Sequence, residues 1–532
     1  MDILTTVSTK RTSQLEQADP RQTKNNAGGF TFTVTPVRRL RRFLILGTDG
    51  GTYYTSAREL TRENAEVVLD FARTDTATLV REIVAISQAG RAPKNNQALF
   101  ALAAAASLGD DDGRRLALAA LSDVARTGTH LFLFATYVEQ FRGWGRGLRR
   151  AVGQWYLGKS VDSLAYQAVK YRQREGWSHR DLLRLAHPVT DEAARVGLFD
   201  YITHGRTDSV PRIVEGYEKV QAKPHKAAKL VAKYGLSWEM LPDESLADPK
   251  VWEALLDNGI PVTALMRQLP RLTRLGLLPA MGGRTAEVAA LLSDPERLIR
   301  GRVHPLNVLV AQRTYASGYS ARGGSSWTPS RPIVDALDAA FYAAFGAVES
   351  SGKSHLLALD ISGSMGAPIA GMPISCREAS AALALVTAAT ESQYQMVGFT
   401  SKNGQRWSSG SALIELPVSP RQRLDDVLRM TSGLPFGGTD CAMPVLWALQ
   451  TKTFVDVFSV YTDNETWAGN VHPHQALAQY RRGVNPNAKM VVVGMTSTGF
   501  SIADPSDAGM LDVVGFDSAT PQLLSGFARG DI

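Results

Sequence analysis

Residues 356–366 read LLALDISGSMG. The apolar run LLAL has the look of a buried strand. It runs straight into a carboxylate, Asp360, and then into two hydroxyls, Ser362 and Ser364, at alternate positions. Taken alone, DISGS reads first as a Ser- or Asx-type helix cap after a strand. Two further segments argue for a site instead. FGGTDC carries Thr439 in a Gly-rich loop, and VYTDNET sets Asp463 at the end of another apolar run. Hydroxyls and carboxylates, with no His or Cys thiolate among them, suit Mg²⁺, Mn²⁺ or Ca²⁺ over zinc or copper. Mg²⁺ fits best, because it keeps several waters and takes few protein ligands. Neutral hydroxyls leave the ion electron-poor, ready to accept a carboxylate or phosphate from outside. Gly363, Gly437 and Gly438 let the backbone fold closely around it.

From about residue 350 onward, apolar β-rich runs recur at HLLALDIS (355–362), YQMVGFT (394–400), FVDVFSVYTD (454–463), KMVVVGM (489–495) and LDVVGFD (511–517). Helical stretches separate them, for example 375–392 and 472–483. Near-continuous apolar strands alternating with helices predict a mostly parallel, doubly wound α/β sheet covered on both faces. Ligands in such folds sit beyond the carboxyl ends of the strands, where Asp360 and Asp463 fall.

The first part of the chain differs. Residues 1–28 are polar without apolar periodicity and read as a flexible tail. Residues 29–55 read as short extended pieces and a Gly turn around the basic run RRLRR (38–42). From about 60 to 345 apolar residues recur at three- and four-residue spacing, as in 96–108, 115–126, 129–141 and 332–348. Many helices in succession predict a solenoid or ring of stacked helix pairs. A link as short as SSGKS (350–354) puts contact between the two parts within reach.

A chain of 532 residues is too long for one core. No apolar run reaches the roughly 18–20 residues of a membrane helix. The first residues lack the apolar core of a signal peptide. Two cysteines, Cys376 and Cys441, make neither a disulfide framework nor a zinc cluster and read as small buried hydrophobes. A cytoplasmic location without membrane partners is expected. The net charge of +7 is uneven: residues 351–532 hold 12 Lys+Arg and 15 Asp+Glu, leaving 46 and 36, a net +10, for residues 1–350. That excess suits a polyanionic partner, or simply a solvated basic surface.

The basic residues concentrate in LAYQAVKYRQREGWSHRDLLRLAHP (164–188). Lys170 and Arg174 are four apart and share a face of a helix that Gly176 ends. Ser178 reads as an N-cap with Asp181 three residues on, a capping box. Arg180, Arg184 and His187 then share a face, with Arg172 and His179 flanking the strip. Such a strip can neutralise phosphates, with His and Trp stacking or hydrogen bonding. Alone it reads first as a solvated charged face. A second strip, Lys219, Lys223, Lys226, Lys229 and Lys233, is another RNA surface or only a soluble helix. FRGWGRGLRRAVGQWY (141–156) mixes four Arg with Trp144, Trp155 and Tyr156, a mixture that suits single-stranded nucleic acid or a core.

Two resemblances order these readings. The last 180 or so residues resemble a von Willebrand factor type A (vWA) domain: DISGS, GGTD and YTDNET stand where its metal-ion-dependent adhesion site has D-x-S-x-S, T and D. The resemblance implies Ser362, Ser364 and Thr439 as direct ligands, Asp360 and Asp463 acting through water, and a metal that grips partners. The segments GGTYYTSARELTRENAE, REGWSHRDLLRLAHP, WGRGLRRAV and ALDAAFYAAF resemble the TROVE module of the Ro autoantigen family. GGTDCAMPVLWA, VYTDNETWAGNVHP and GMTSTGFSIADPSDAGMLDVVGFD are similar to that family as well. The resemblance spans about 28 to 532 and implies a bacterial member of the family: a ring of HEAT-like helical repeats (29–349) followed by a vWA-like α/β domain (350–532). It further implies a non-enzymatic RNA-binding ribonucleoprotein scaffold in RNA processing, decay and quality control. Small noncoding Y RNA would lie on a basic outer surface through Lys170, Arg174 and His187. Defective or structured RNA would enter a central hole by a single-stranded end. An exoribonuclease such as polynucleotide phosphorylase is an implied partner. Two alternatives differ in class. One is a metal-dependent adhesion module for an acidic protein, with RNA incidental. The other is a metal-dependent nuclease, which two-metal chemistry disfavours for want of a denser carboxylate cluster.

Overall fold

The computed structural model describes residues 11–532 apart from 49–54, 321–323, 347, 402–412, 421 and 434–436. Much of the extended segment expected over 47–55 lies outside the described residues. The described strands are β1 (Gln22–Lys24), β2 (Phe30–Thr33), β3 (Gln173–Arg174), β4 (Trp177–Ser178), β5 (Ser354–Asp360), β6 (Gln393–Phe399), β7 (Leu413–Glu415), β8 (Val457–Thr462), β9 (Lys489–Gly494), β10 (Phe500–Ser501) and β11 (Met510–Val514). Six of them form one sheet in the order β11-β9-β8-β5-β6-β7. The five apolar runs of the sequence supply its parallel strands, and β7 adds a short antiparallel edge.

Alternation along β5 serves two cores. Leu357 and Leu359 pack with the helix Cys376–Thr390, whereas Leu356 and Ala358 pack with the helices Met443–Thr451 and Pro473–Gly483. A strand buried on both faces has no polar side to show, hence its continuous apolar run. The chain goes from β5 outward to β6 and β7 on one side, then returns to place β8 on the other. The carboxyl ends of β5 and β8 therefore flank a topological switch point, the place where folds of this kind bind ligands.

Upstream, helices follow one another from Pro36–Leu46 to Arg331–Ala343. The helix Asn96–Leu108 is buried over most of its length, and its run of alanines lets neighbouring helices approach closely. The span 115–126 splits at Ala120 into Asp111–Ala119 and Leu121–Val124. The series ends where it began: the His304 ring Nε2 meets the Arg91 carbonyl at 2.9 Å. Both ends also abut the sheet domain. Arg42 and Arg91 pair with Asp512 and Asp517, Arg313 with Glu378, and Asp335 with Arg423. The series closes with the sheet domain at the seam. Among the described residues, no helix is long and apolar enough to cross a membrane.

Three expectations change. Residues 11–28 are not a free tail: β1 pairs with β2, β2 pairs with β10, and Gln14 is fully buried. Residues 1–10 lie outside the described residues. The run RRLRR lies in the helix Pro36–Leu46, capped by Thr35 and started by Pro36, the residue pair that favours a helix start. Its Arg42 is completely buried. The helix carrying Lys170 ends there, at Val161–Lys170; Arg174 sits instead in a two-strand hairpin, β3–β4, turned by Glu175 and Gly176, both at positive φ. The link 350–354 is held by Glu391, whose carboxylate accepts from the backbone N–H groups of Ser351 and Gly352 and from the Ser350 hydroxyl.

Candidate metal centre and nucleic-acid interface

The carboxyl ends of β5 and β8 and the adjoining loops hold all five predicted metal-site residues in buried positions: Asp360, Ser362, Ser364, Thr439 and Asp463. Asp360 is fixed from two sides. Its Oδ1 accepts from the Ser362 N–H at 2.9 Å and its Oδ2 from the Thr462 hydroxyl at 2.7 Å. The Ser362 and Ser364 hydroxyls stand 3.1 Å apart. The loop with Thr439 is braced by the Thr400 hydroxyl donating to the Gly438 carbonyl at 2.7 Å and by Gly363 N–H donating to the Gly437 carbonyl at 3.3 Å. A Cβ at Gly438 would come within 2.9 Å of the Ser401 hydroxyl and 3.0 Å of the Trp467 ring. Only glycine passes there.

The donor set fits a hard cation. Thr439 Oγ1 and Asp463 Oδ2 are buried without a hydrogen-bond partner, which is costly unless something else satisfies them. Burial, then the negative charge of Asp360, pushes the Asp463 carboxyl up to about 7. Burial likewise raises Asp360. Two carboxylates that ionise reluctantly beside unmet oxygens are relieved by a divalent ion. Among the described residues no three His, Cys, Asp or Glu side chains cluster as a metal cage. Cys376 and Cys441 are both buried and unpaired, and neither joins it.

Sequence reasoning missed a third component. The segment 11–29 straps the loop that follows Asp463. The Gln14 amide donates to Asp440 at 2.8 Å and to the Val471 carbonyl at 2.9 Å, and it accepts from the Thr466 hydroxyl at 2.5 Å. Asn26 and the Ala27 N–H cap the Glu465 carboxylate, at 2.9 and 3.0 Å. A polar stretch with no periodicity offers no signal of this, because its partners lie more than 400 residues away.

The predicted RNA-binding residues divide. Arg172, Arg180 and Arg184 line one polar groove of about 1000 Å³, joined by His204 and Tyr201 from the next helix, Ala193–His204. Lys170 and Arg174 line a second hollow of about 330 Å³, with Arg172 shared between the two. Arg172 is held by the Tyr217 hydroxyl at 2.7 Å. Arg174, Arg180 and Arg184 are exposed and, among the described residues, have no carboxylate partner. The capping box is present: the Ser178 hydroxyl accepts from the Asp181 N–H, and the Asp181 carboxylate accepts from the Ser178 N–H at 3.0 Å. His187 is exposed and ends that helix in the left-handed conformation, φ 44°.

Two residues are placed differently from expectation. Lys170 is not a free cation. It pairs with Glu239 at 3.3 Å and lies over the rings of Tyr166 and Tyr171. His179 is no surface contact. It is 2% exposed, bonded to the Tyr156 hydroxyl at 2.8 Å and packed on Phe132. As the first residue of its helix it faces inward, opposite Arg180. Burial holds its imidazole down at about 4, below the ordinary 6.5. The fold binds the neutral ring, so the stability it carries is complete above about pH 6.5. It is lost as pH falls through about 4. We expect histidine NMR to titrate His179 well below the ordinary 6.5. A His179 midpoint near 6.5 would refute the burial.

Known proteins share this arrangement. Family models match the Ro60 vWA domain over residues 354–528 and the TROVE domain over 23–235 and 229–316. The chain is 42% identical, over 100% of both chains, to a Deinococcus radiodurans protein named RNA-binding protein RO60. It is 36% identical to the Caenorhabditis elegans protein of the same name, over 98% of this chain and 92% of that one. The crystal structure of the Deinococcus radiodurans RO (RSR) protein is similar at TM-score 0.70 and 41% identity, covering 94% of this chain and 100% of that one.

Proposed function

We propose, for a chain that belongs to the Ro60 family of TROVE and vWA domain proteins, that it is an RNA-binding scaffold working in the cytoplasm. The observation that carries the reading is the unpaired set Arg174, Arg180 and Arg184 across two neighbouring hollows that share Arg172, itself held in place by Tyr217. Exposed guanidinium groups without carboxylate partners are free to neutralise phosphates. The bound RNA is a small noncoding Y RNA on this outer face. Structured or defective RNA presents a single-stranded end to the centre of the closed helical series. The work is RNA quality control, with an exoribonuclease such as polynucleotide phosphorylase as partner. No catalytic step belongs to it, so labelled RNA incubated with the protein and Mg²⁺ should stay intact. In the sheet domain Ser362, Ser364 and Thr439 would hold Mg²⁺, with Asp360 and Asp463 acting through water. The ion would keep a coordination position for a partner's carboxylate.

The test is RNA binding against salt. Arg174→Ala/Arg180→Ala/Arg184→Ala should weaken binding more than about tenfold and flatten the salt slope by about two to three, one increment per lost phosphate contact. Lys170→Ala should change the slope little, because Glu239 already neutralises it. An adhesion protein with incidental RNA would show wild-type binding no better than a neutral control protein.

A further inference from the structure

The groove just described leaves the basic segment 141–156 unexplained. Its helix, Arg146–Leu157, starts without a cap: Gly145 stands at the cap position and no side chain accepts from the first turn. The N–H groups of Arg146, Gly147 and Leu148 have no acceptor within the helix. All three residues and Gly145 face a cavity of about 370 Å³. Arg142 and Arg146 line it, exposed and with no carboxylate partner among the described residues. Arg114 lines it too, held by Asp111 at 3.2 Å, while its Nε is buried and unpartnered. The cavity's second, independent mark is Ser107. This residue is 6% exposed, lines the cavity, and has a buried hydroxyl with no hydrogen-bond partner.

We infer that this cavity binds a phosphate group of the RNA. Uncapped N–H groups carry the positive end of the helix dipole, arginines supply charge, and Ser107 supplies a further donor. Asp111, 92% exposed at the rim, is spent on Arg114. RNA is the favoured bearer of the phosphate, because the loop is continuous with the groove residues. The Trp144 ring packs on Trp177 of β4 at 5.4 Å, and Trp177 immediately precedes the capping Ser178. The inference rests on the RNA-binding reading.

Gly145 gives the test. Its backbone, φ −96° and ψ 171°, suits any residue, and a Cβ there would meet nothing within 4 Å. Gly145→Asp therefore fits, caps the helix and puts a carboxylate where the phosphate sits. Its thermal midpoint should stay at or above that of wild type, so lost binding is not lost folding. Binding of a hairpin RNA carrying either a 5′-phosphate or a 5′-hydroxyl is measured by fluorescence anisotropy over a salt series. Gly145→Asp and Arg142→Ala/Arg146→Ala should each weaken it about tenfold. The arginine pair should also flatten the salt slope by about one. Equal losses with both RNAs identify a backbone diester, and losses confined to the phosphorylated RNA identify the terminal phosphate. Normal wild-type binding with both variants unaffected overturns the inference alone. A wild-type chain that binds neither RNA overturns the functional reading and the inference with it.

Discussion

Arg42→Met should destabilise the protein by about 3–5 kcal/mol, the usual cost of leaving a buried ion pair with one member. Arg42 is completely buried. One of its terminal nitrogens donates to the carbonyls of Thr498 and Phe500, both at 2.8 Å, and the other meets Asp512 at 2.5 Å. Removing it strands Asp512, itself 3% exposed, with the Ser501 hydroxyl at 2.6 Å as its remaining side-chain partner. It also releases two carbonyls at the seam between the first helix and the sheet domain. The double variant Arg42→Met/Asp512→Leu should be less damaging than Arg42→Met alone, because no uncompensated charge remains. Thermal unfolding of the two variants and wild type decides this. If Arg42→Met melts within a degree or two of wild type, the guanidinium is not the seam's anchor.

The sequence made the sheet domain legible because its strands are buried on both faces. Continuous apolar runs such as VVVG and LLAL have few other readings, and LLAL ends where the site residues begin. The clustering of the five candidate metal-site residues was legible for the same reason: oxygen donors at the carboxyl ends of buried strands are conspicuous. Arg42 was hidden inside RRLRR, where charge suggests solvent. Its burial depends on three acceptors some 460–470 residues away. The Thr35-Pro36 start of its helix was the available signal. His179 followed the same logic in reverse: next to Arg180 it read as surface, but helical geometry turns adjacent residues about 100° apart, and Phe132 and Tyr156 receive it. β7 was too short to read, and the strap at 11–29 had no apolar pattern at all.

Thr439→Val should act with opposite signs on the two forms of the metal centre. Valine keeps the shape of threonine and removes the hydroxyl. In chelator that hydroxyl is a buried oxygen without a partner, and deleting it should leave stability unchanged or raise it by about 1 kcal/mol. In Mg²⁺ the balance reverses. An ion that binds only the folded chain adds about 2.7 kcal/mol at a hundred times its dissociation constant. Wild type should therefore gain thermal stability from chelator to saturating Mg²⁺, whereas Thr439→Val should gain little. Ser362→Ala/Ser364→Ala should remove the gain altogether, since it deletes the two hydroxyls that stand 3.1 Å apart beside Asp360. Mn²⁺ titration followed by electron paramagnetic resonance gives the second readout, with affinity falling at least about tenfold for Thr439→Val. If wild type melts identically in chelator and in Mg²⁺ and takes up no Mn²⁺, the unmet oxygens of Thr439 and Asp463 serve something other than a cation. If Mn²⁺ binds equally to all three proteins, the ion sits elsewhere.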